Sequence, residues 1–116
     1  MIEMLEMGSA RPTAIFVASD IQAMGAMTAL RDNGLKVPDD MAIVGFDDIE
    51  LAQHIGLTTV RQPMYEMGVL AVGRILDRMT DRNGSVTHTT FTPKLIVRES
   101  CGAVKEKYVS SNNVMD

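Results

Sequence analysis

Three short apolar runs, separated by stretches of helical period, constrain this chain more than any other feature. The runs are residues 13–18 (TAIFVA), 41–46 (MAIVGF) and 57–61 (LTTVR). Each has strand length, and the first two are almost continuously apolar, the pattern of strands covered on both faces. Ser19-Asp20 then opens a helix predicted over residues 21–33, with Ile21, Met24, Met27 (or Thr28) and Leu30 on its apolar side. Asp20 suits its N-cap and Gly34 its stop. Residues 37–40 (VPDD) read as a turn, and a short helix is expected from Asp47-Asp48 to about Ile55. A longer helix over residues 64–80 carries Met67, Leu70, Ala71, Ile75 and Met79 on its dry side, and Glu66, Arg74, Asp77 and Arg78 on its wet side. Residues 88–98 alternate in polarity and predict a last strand, near a sheet edge because of Pro93. Residues 1–8 read as the end of a helix stopped by Gly8, and the polar tail from residue 102 is expected to fray.

This alternation predicts an α/β fold with a mainly parallel sheet and helices on both faces. The 116 residues suffice for one domain. A sheet of so few strands leaves much edge and face uncovered, so the chain is expected to be part of a larger domain.

Charge narrows the function classes. The net charge is −4, and no contiguous Lys/Arg cluster supplies the phosphate-neutralising surface of a nucleic-acid binder. Cys101 is the only cysteine, which precludes an intrachain disulfide and fits a reducing, cytoplasmic compartment. No apolar run approaches the ~20 residues of a membrane span, and the acidic start is unlike a signal peptide.

In open α/β sheets ligands sit beyond the carboxyl ends of the strands. Ser19 and Asp20 follow the first run, Asp47 and Asp48 the second, and Gln62 the third. Side chains of these types can bind the hydroxyls of a polar small molecule. Bland alternatives stand beside that reading. Asp20 can be simply a helix cap. Asp47 can cap the short helix, with Glu50 completing a capping-box-like pair. Asp48 can be a cap or a solvated carboxylate, and Gln62 can merely hold a strand end. No catalytic centre is expected: His54 and His88 lack metal-ligand spacing, and no nucleophile elbow, phosphate loop or Cys-x-x-Cys is present. No cofactor or metal is called for.

Taken in order, these segments resemble the LacI/GalR family of transcriptional regulators. The resemblance is carried by residues 13–20 (TAIFVASD), Ala23, Gly25-Ala26, Ala29-Leu30, Gly34, residues 37–40 (VPDD), 43–48 (IVGFDD), 57–63 (LTTVRQP) and Met67-Gly68. It covers about residues 5–100 at nearly family spacing. It implies part of a two-lobed effector-binding domain of the periplasmic-binding-protein-like (type I) fold, with the DNA-reading helix-turn-helix and hinge in sequence not represented here. Residues 1–61 would then belong to the C-terminal lobe. Residues 62–87 would form a crossover and a helix of the N-terminal lobe, 88–100 a returning strand, and 101–116 a flexible tail. The resemblance implies that Asp47 contacts the effector, that Ser19 lines the same cleft and that Gln62 lies near it. It implies a homodimer formed through Met24, Met27 and the neighbouring Leu51. It implies a sugar as effector and operator DNA as a partner of the complete regulator. A sugar-binding protein of a transport system is the competing expectation. Between Asp48 and Leu57 the chain is about two residues shorter than the usual pattern.

Overall fold

A computed structural model describes residues 1–103 of the protein. The elements are α1 (Ile2–Glu6), β1 (Ala14–Phe16), α2 (Asp20–Asp32), β2 (Ala42–Phe46), α3 (Glu50–His54), β3 (Thr58–Arg61), α4 (Met64–Thr80) and β4 (Lys94–Ile96), with 3-10 turns at Gly8–Ala10 and Glu99–Cys101. The four strands lie side by side in chain order. β1 runs parallel to β2, and β2 to β3. The sequence-predicted α/β fold with a mainly parallel sheet is what the chain forms.

The chain divides into two compact units, one of Met1–Arg61 with the segment from Leu95, the other of Gln62–Lys94. In the first, Ala23, Ala26 and Leu30 of α2 pack with Met41, Ile43, Ala52 and Leu57 to form the core. Small residues on α2 let the helix approach the sheet closely. Helical periodicity placed the apolar side one step away, at Ile21, Met24, Met27 and Leu30. Ile21 is instead exposed and Met24 and Met27 are half-buried, because Asp20, Ala23 and Ala26 occupy the inward row.

The strands are less completely covered than their apolar runs suggest. In β1, Ala14 and Phe16 are exposed and only Ile15 is half-buried. The register pairs Ala14 with Ala42 and Phe16 with Val44, so these four side chains share one face, opposite the α2 side. Phe16 is 65% exposed there, with the ring of Phe46 edge-on at a centroid distance of 6.3 Å.

The second unit is built around α4, whose observed bounds coincide with the predicted helix. None of its residues is buried. Arg74 Nη1 donates to Thr87 O at 3.1 Å and also to Thr87 Oγ1, and its Nη2 donates to Thr89 Oγ1 at 2.8 Å. Arg78 Nη1 donates to Gly84 O. These bonds tie the following segment back to the helix. The expected strand over residues 88–98 is pared to Lys94–Ile96. Leu95 and Val97 remain exposed, so the alternation has little packing to reward it. The tail from residue 104 onward lies outside the described residues. Among the described residues, no helix is long and apolar enough to cross a membrane.

Candidate functional site

Parallel β1, β2 and β3 end on one rim, and the turns that follow carry most of the polar candidates. After β1, Ser19 takes the extended backbone of an N-cap, and its Oγ accepts from Gln22 N at 3.3 Å. Ser19 therefore does what Asp20 was expected to do. Asp20, the first residue of α2, points inward and is fully buried. Its Oδ1 accepts from Thr59 Oγ1 at 2.6 Å and its Oδ2 from Ile49 N at 2.9 Å. A buried carboxylate is tolerable only with such partners. It also explains Gly45: a Cβ there would stand 2.3 Å from Asp20 Oδ1.

The turn after β2 holds the non-glycine residues with positive φ among the described residues. Asp47 has φ 113° and Asp48 φ 53°, a region that side chains other than Gly, Asn and Asp seldom enter. Successive N–H groups are each held by a different partner. Asp47 N donates to Val60 O at 3.0 Å, Asp48 N to Thr59 Oγ1 at 3.3 Å, and Ile49 N to Asp20 Oδ2 at 2.9 Å. The strain is thus over-determined by its surroundings, as it commonly is where a ligand is gripped. The result is an exposed Asp47 beside an inward-facing Asp48. Neither caps α3, whose N-cap is Ile49 with no side-chain cap. Asp47 N is taken by Val60 O, so it is not the backbone donor that the expected capping-box pair with Glu50 would use.

Asp48 is not a solvated carboxylate. Its side chain is 6% exposed, with Oδ2 2.5 Å from Arg61 Nε and Oδ1 2.9 Å from Arg98 Nη2. The Oδ1 contact lies within ion-pair reach without the alignment of a hydrogen bond. Burial alone would raise its pKa, but the Arg61 hydrogen bond and the close positive charges of both guanidinium groups outweigh it and hold the carboxyl below its ordinary value. Arg98 is anchored in turn: its Nη1 donates to Leu57 O at 2.8 Å, and its N to Thr58 Oγ1 at 2.9 Å. Ser100 completes the seam, accepting from Thr58 N at 2.8 Å and donating to Ile43 O at 2.6 Å.

Ser19 and Asp47 thus follow neighbouring strands of the first unit, whereas Gln62 follows β3 and is the first residue of the second unit. Sequence reading missed Thr59, Arg98 and Ser100. Their bonds to Asp20, Leu57 and Ile43 span 39, 41 and 57 residues, beyond any local pattern. The expected dimer residues are less uniform. Met24 and Met27 line a hollow of about 530 Å³ with Leu35, Val37, Pro38 and Ile55. Met27 also packs against the core, and Leu51 is exposed. In the second unit Arg74, Arg78 and Arg82, spaced four residues apart, line a hollow with Ile75 and Met79.

Residues 1–101 match the family model described as periplasmic binding protein-like domain. The chain belongs to that family. Its relatives within the periplasmic-binding-protein-like family are LacI-family regulators, as the strand and turn motifs indicated. The ribose operon repressor of Haemophilus influenzae is 41% identical over 106 residues, covering 90% of this chain and 32% of that protein. A LacI family transcriptional regulator from Enterococcus faecium, solved with bound ribose, aligns with a TM-score of 0.73 at 27% identity, covering 84% of this chain and 37% of that one. The lac repressor dimer, solved with operator and an anti-inducer, gives a TM-score of 0.74 at 33% identity, covering 86% of this chain and 30% of that one. The chain spans about a third of the length of the relatives it matches.

Proposed function

We propose that this chain is the ligand-sensing part of a sugar-responsive transcriptional regulator, and that Asp47 is its principal effector contact. The observation that carries this reading is the pinned turn after β2. Three consecutive N–H groups are fixed, two residues adopt positive φ, and an exposed carboxylate is presented at the carboxyl end of a parallel strand. Ser19 adds a hydroxyl at the end of the adjacent strand, besides its capping role, and Gln62 adds an amide where the chain leaves β3. Such groups suit the hydroxyls of a pentose or similar sugar, and the ribose-named relative and the ribose-bound neighbour support that class.

On this reading residues 1–61 contribute one lobe, 62–87 cross to the other, and 88–100 return. Operator contact then belongs to a part of the regulator outside this chain. The regulator is a cytoplasmic homodimer, with Met24, Met27 and Leu51 in its interface, and has no enzymatic role. Effector binding shifts the dimer between two arrangements only to the extent that it binds them differently.

The test is a titration of the intact regulator with D-ribose and other pentoses and hexoses, followed by calorimetry and by operator release. Asp47→Ala and Asp47→Asn should each lose at least ~100-fold in sugar affinity, since a charged partner of a bound hydroxyl is removed, while the melting profile keeps its shape. The asparagine variant matters because Asn tolerates positive φ. An undisturbed titration for both variants would remove Asp47 from the site.

A further inference from the structure

Asp48 has a position in the chain that its burial alone does not explain. Arg61 is the last residue before the second unit begins at Gln62, and Arg98 stands four residues after that unit ends at Lys94. One carboxylate therefore meets an arginine from the outgoing segment at 2.5 Å and an arginine from the returning segment at 2.9 Å. The same residue is joined by one peptide bond to Asp47, and its own N–H is held by Thr59. The returning segment is further fastened to the sheet through Thr58 and Leu57.

We propose that Asp48 is a positioning residue that locks the Asp47 turn to both connecting segments, so that a ligand gripped at Asp47 acts on both through one carboxylate. The idea rests on the reading of Asp47 as an effector contact only for its ligand-driven half; the lock itself concerns the unliganded protein. Its physical basis is geometric. A carboxylate only 6% exposed has few alternative arrangements, because moving it away from Arg98, itself 15% exposed, would strand a guanidinium without its anion in a poorly solvated place, while the more exposed Arg61 adds a hold from the outgoing segment. The positive φ at Asp47 and Asp48 leaves the turn little freedom to move independently. A shift of the turn is therefore passed to Arg61 and Arg98 together.

Amide hydrogen exchange of the intact protein, resolved at Asp47, residue 48, Arg61 and Arg98, reads this directly. Asp48→Asn should speed exchange at all four by at least tenfold while Leu30 and Ile43 keep their rates. Arg61→Gln should loosen the outgoing segment and Arg98→Gln the returning one, each with the turn but without the other segment. Arg98→Lys, which keeps the charge, should recover part of the protection. These arginine variants keep the test decisive if Asp48→Asn does not fold. With saturating D-ribose, the wild-type protein should show slower exchange at Arg98, and Asp48→Asn should bind D-ribose without that response. Uniform acceleration across the core, or loosening of one segment only in Asp48→Asn, would overturn the lock. Absence of D-ribose binding by the wild-type protein would count against the sugar reading and leave the lock to be decided by the unliganded exchange rates.

Discussion

The two units obey the same hydrophobic periodicity and reach opposite outcomes. In the first, α2 has modest amphipathicity, yet Ala23, Ala26 and Leu30 are buried with Met41, Ile43, Ala52 and Leu57. In the second, α4 is the longer and more clearly amphipathic helix, yet Met64, Val69, Val72, Ile75, Leu76 and Met79 are all exposed. Every buried residue among those described lies in the first unit. Periodicity specifies that a helix has an apolar face; burial needs a surface to receive it. The stabilising core of this chain is therefore concentrated in the sheet, α2 and α3.

The largest expected effect comes from cutting the same side chain in each unit. Leu30 is fully buried and Leu76 is 56% exposed. Leu30→Ala should cost about 2–5 kcal/mol, the transfer and cavity cost of a core leucine. Leu76→Ala should change stability by no more than ~0.5 kcal/mol, as exposed sites do. Urea denaturation of both variants reads the difference. Equal costs would show that the face of α4 is buried in solution, and the contrast between the units would fail.

How far the sequence revealed this contrast depends on the range of each interaction. Local patterns foresaw α4 with its observed bounds, the strand cores, the Gly34 stop and the turns bearing Ser19 and Asp47. Gly34 has φ 74°, as a helix-terminating glycine should. Local patterns misassigned Ser19 and Asp20, because either residue can cap a helix and only the distant Thr59 and Ile49 N–H draw Asp20 inward. They overextended the last strand, since alternation in residues 88–98 does not say whether a neighbour is available. Asp48 looked solvated for the same reason: its partner Arg98 is supplied by the far end of the chain. The candidate rim was legible as a set of strand ends, while the polar lattice behind it was not.

That lattice gives the first unit an acid sensitivity centred on Asp48. Asp48 is held below its ordinary pKa in the folded protein, whereas in the unfolded chain it titrates near ~3.9. The unfolded state therefore takes up protons first as pH falls. The contribution of the Asp48 pairs is fully present above the unfolded value and is lost as pH drops through the folded one. Stability by urea titration should be flat with respect to this group from pH 7 to about 5 and decline below about 4. Asp48→Asn should be less stable at neutral pH and show a shallower acid decline. An acid limb of unchanged slope in that variant would remove Asp48 from the pH response.

The smallest effect is expected in α4 and has the opposite sign. Gly68 and Gly73 lie within this helix, and a Cβ at either would meet nothing within 4 Å. Glycine in a helix interior costs about 0.5–1 kcal/mol relative to alanine through backbone entropy. Gly73→Ala should therefore raise the helical content and slow amide exchange within residues 64–80, by about the factor that this energy implies. The exchange of Leu30 and Ile43 should not change, because the core that protects them lies in the first unit. If Gly73→Ala instead raised the stability of that core by the same amount, the two units would be melting as one. The exposed face of α4 would then have a partner in solution, and the distinction drawn from burial would have to be replaced by one of shared cooperativity.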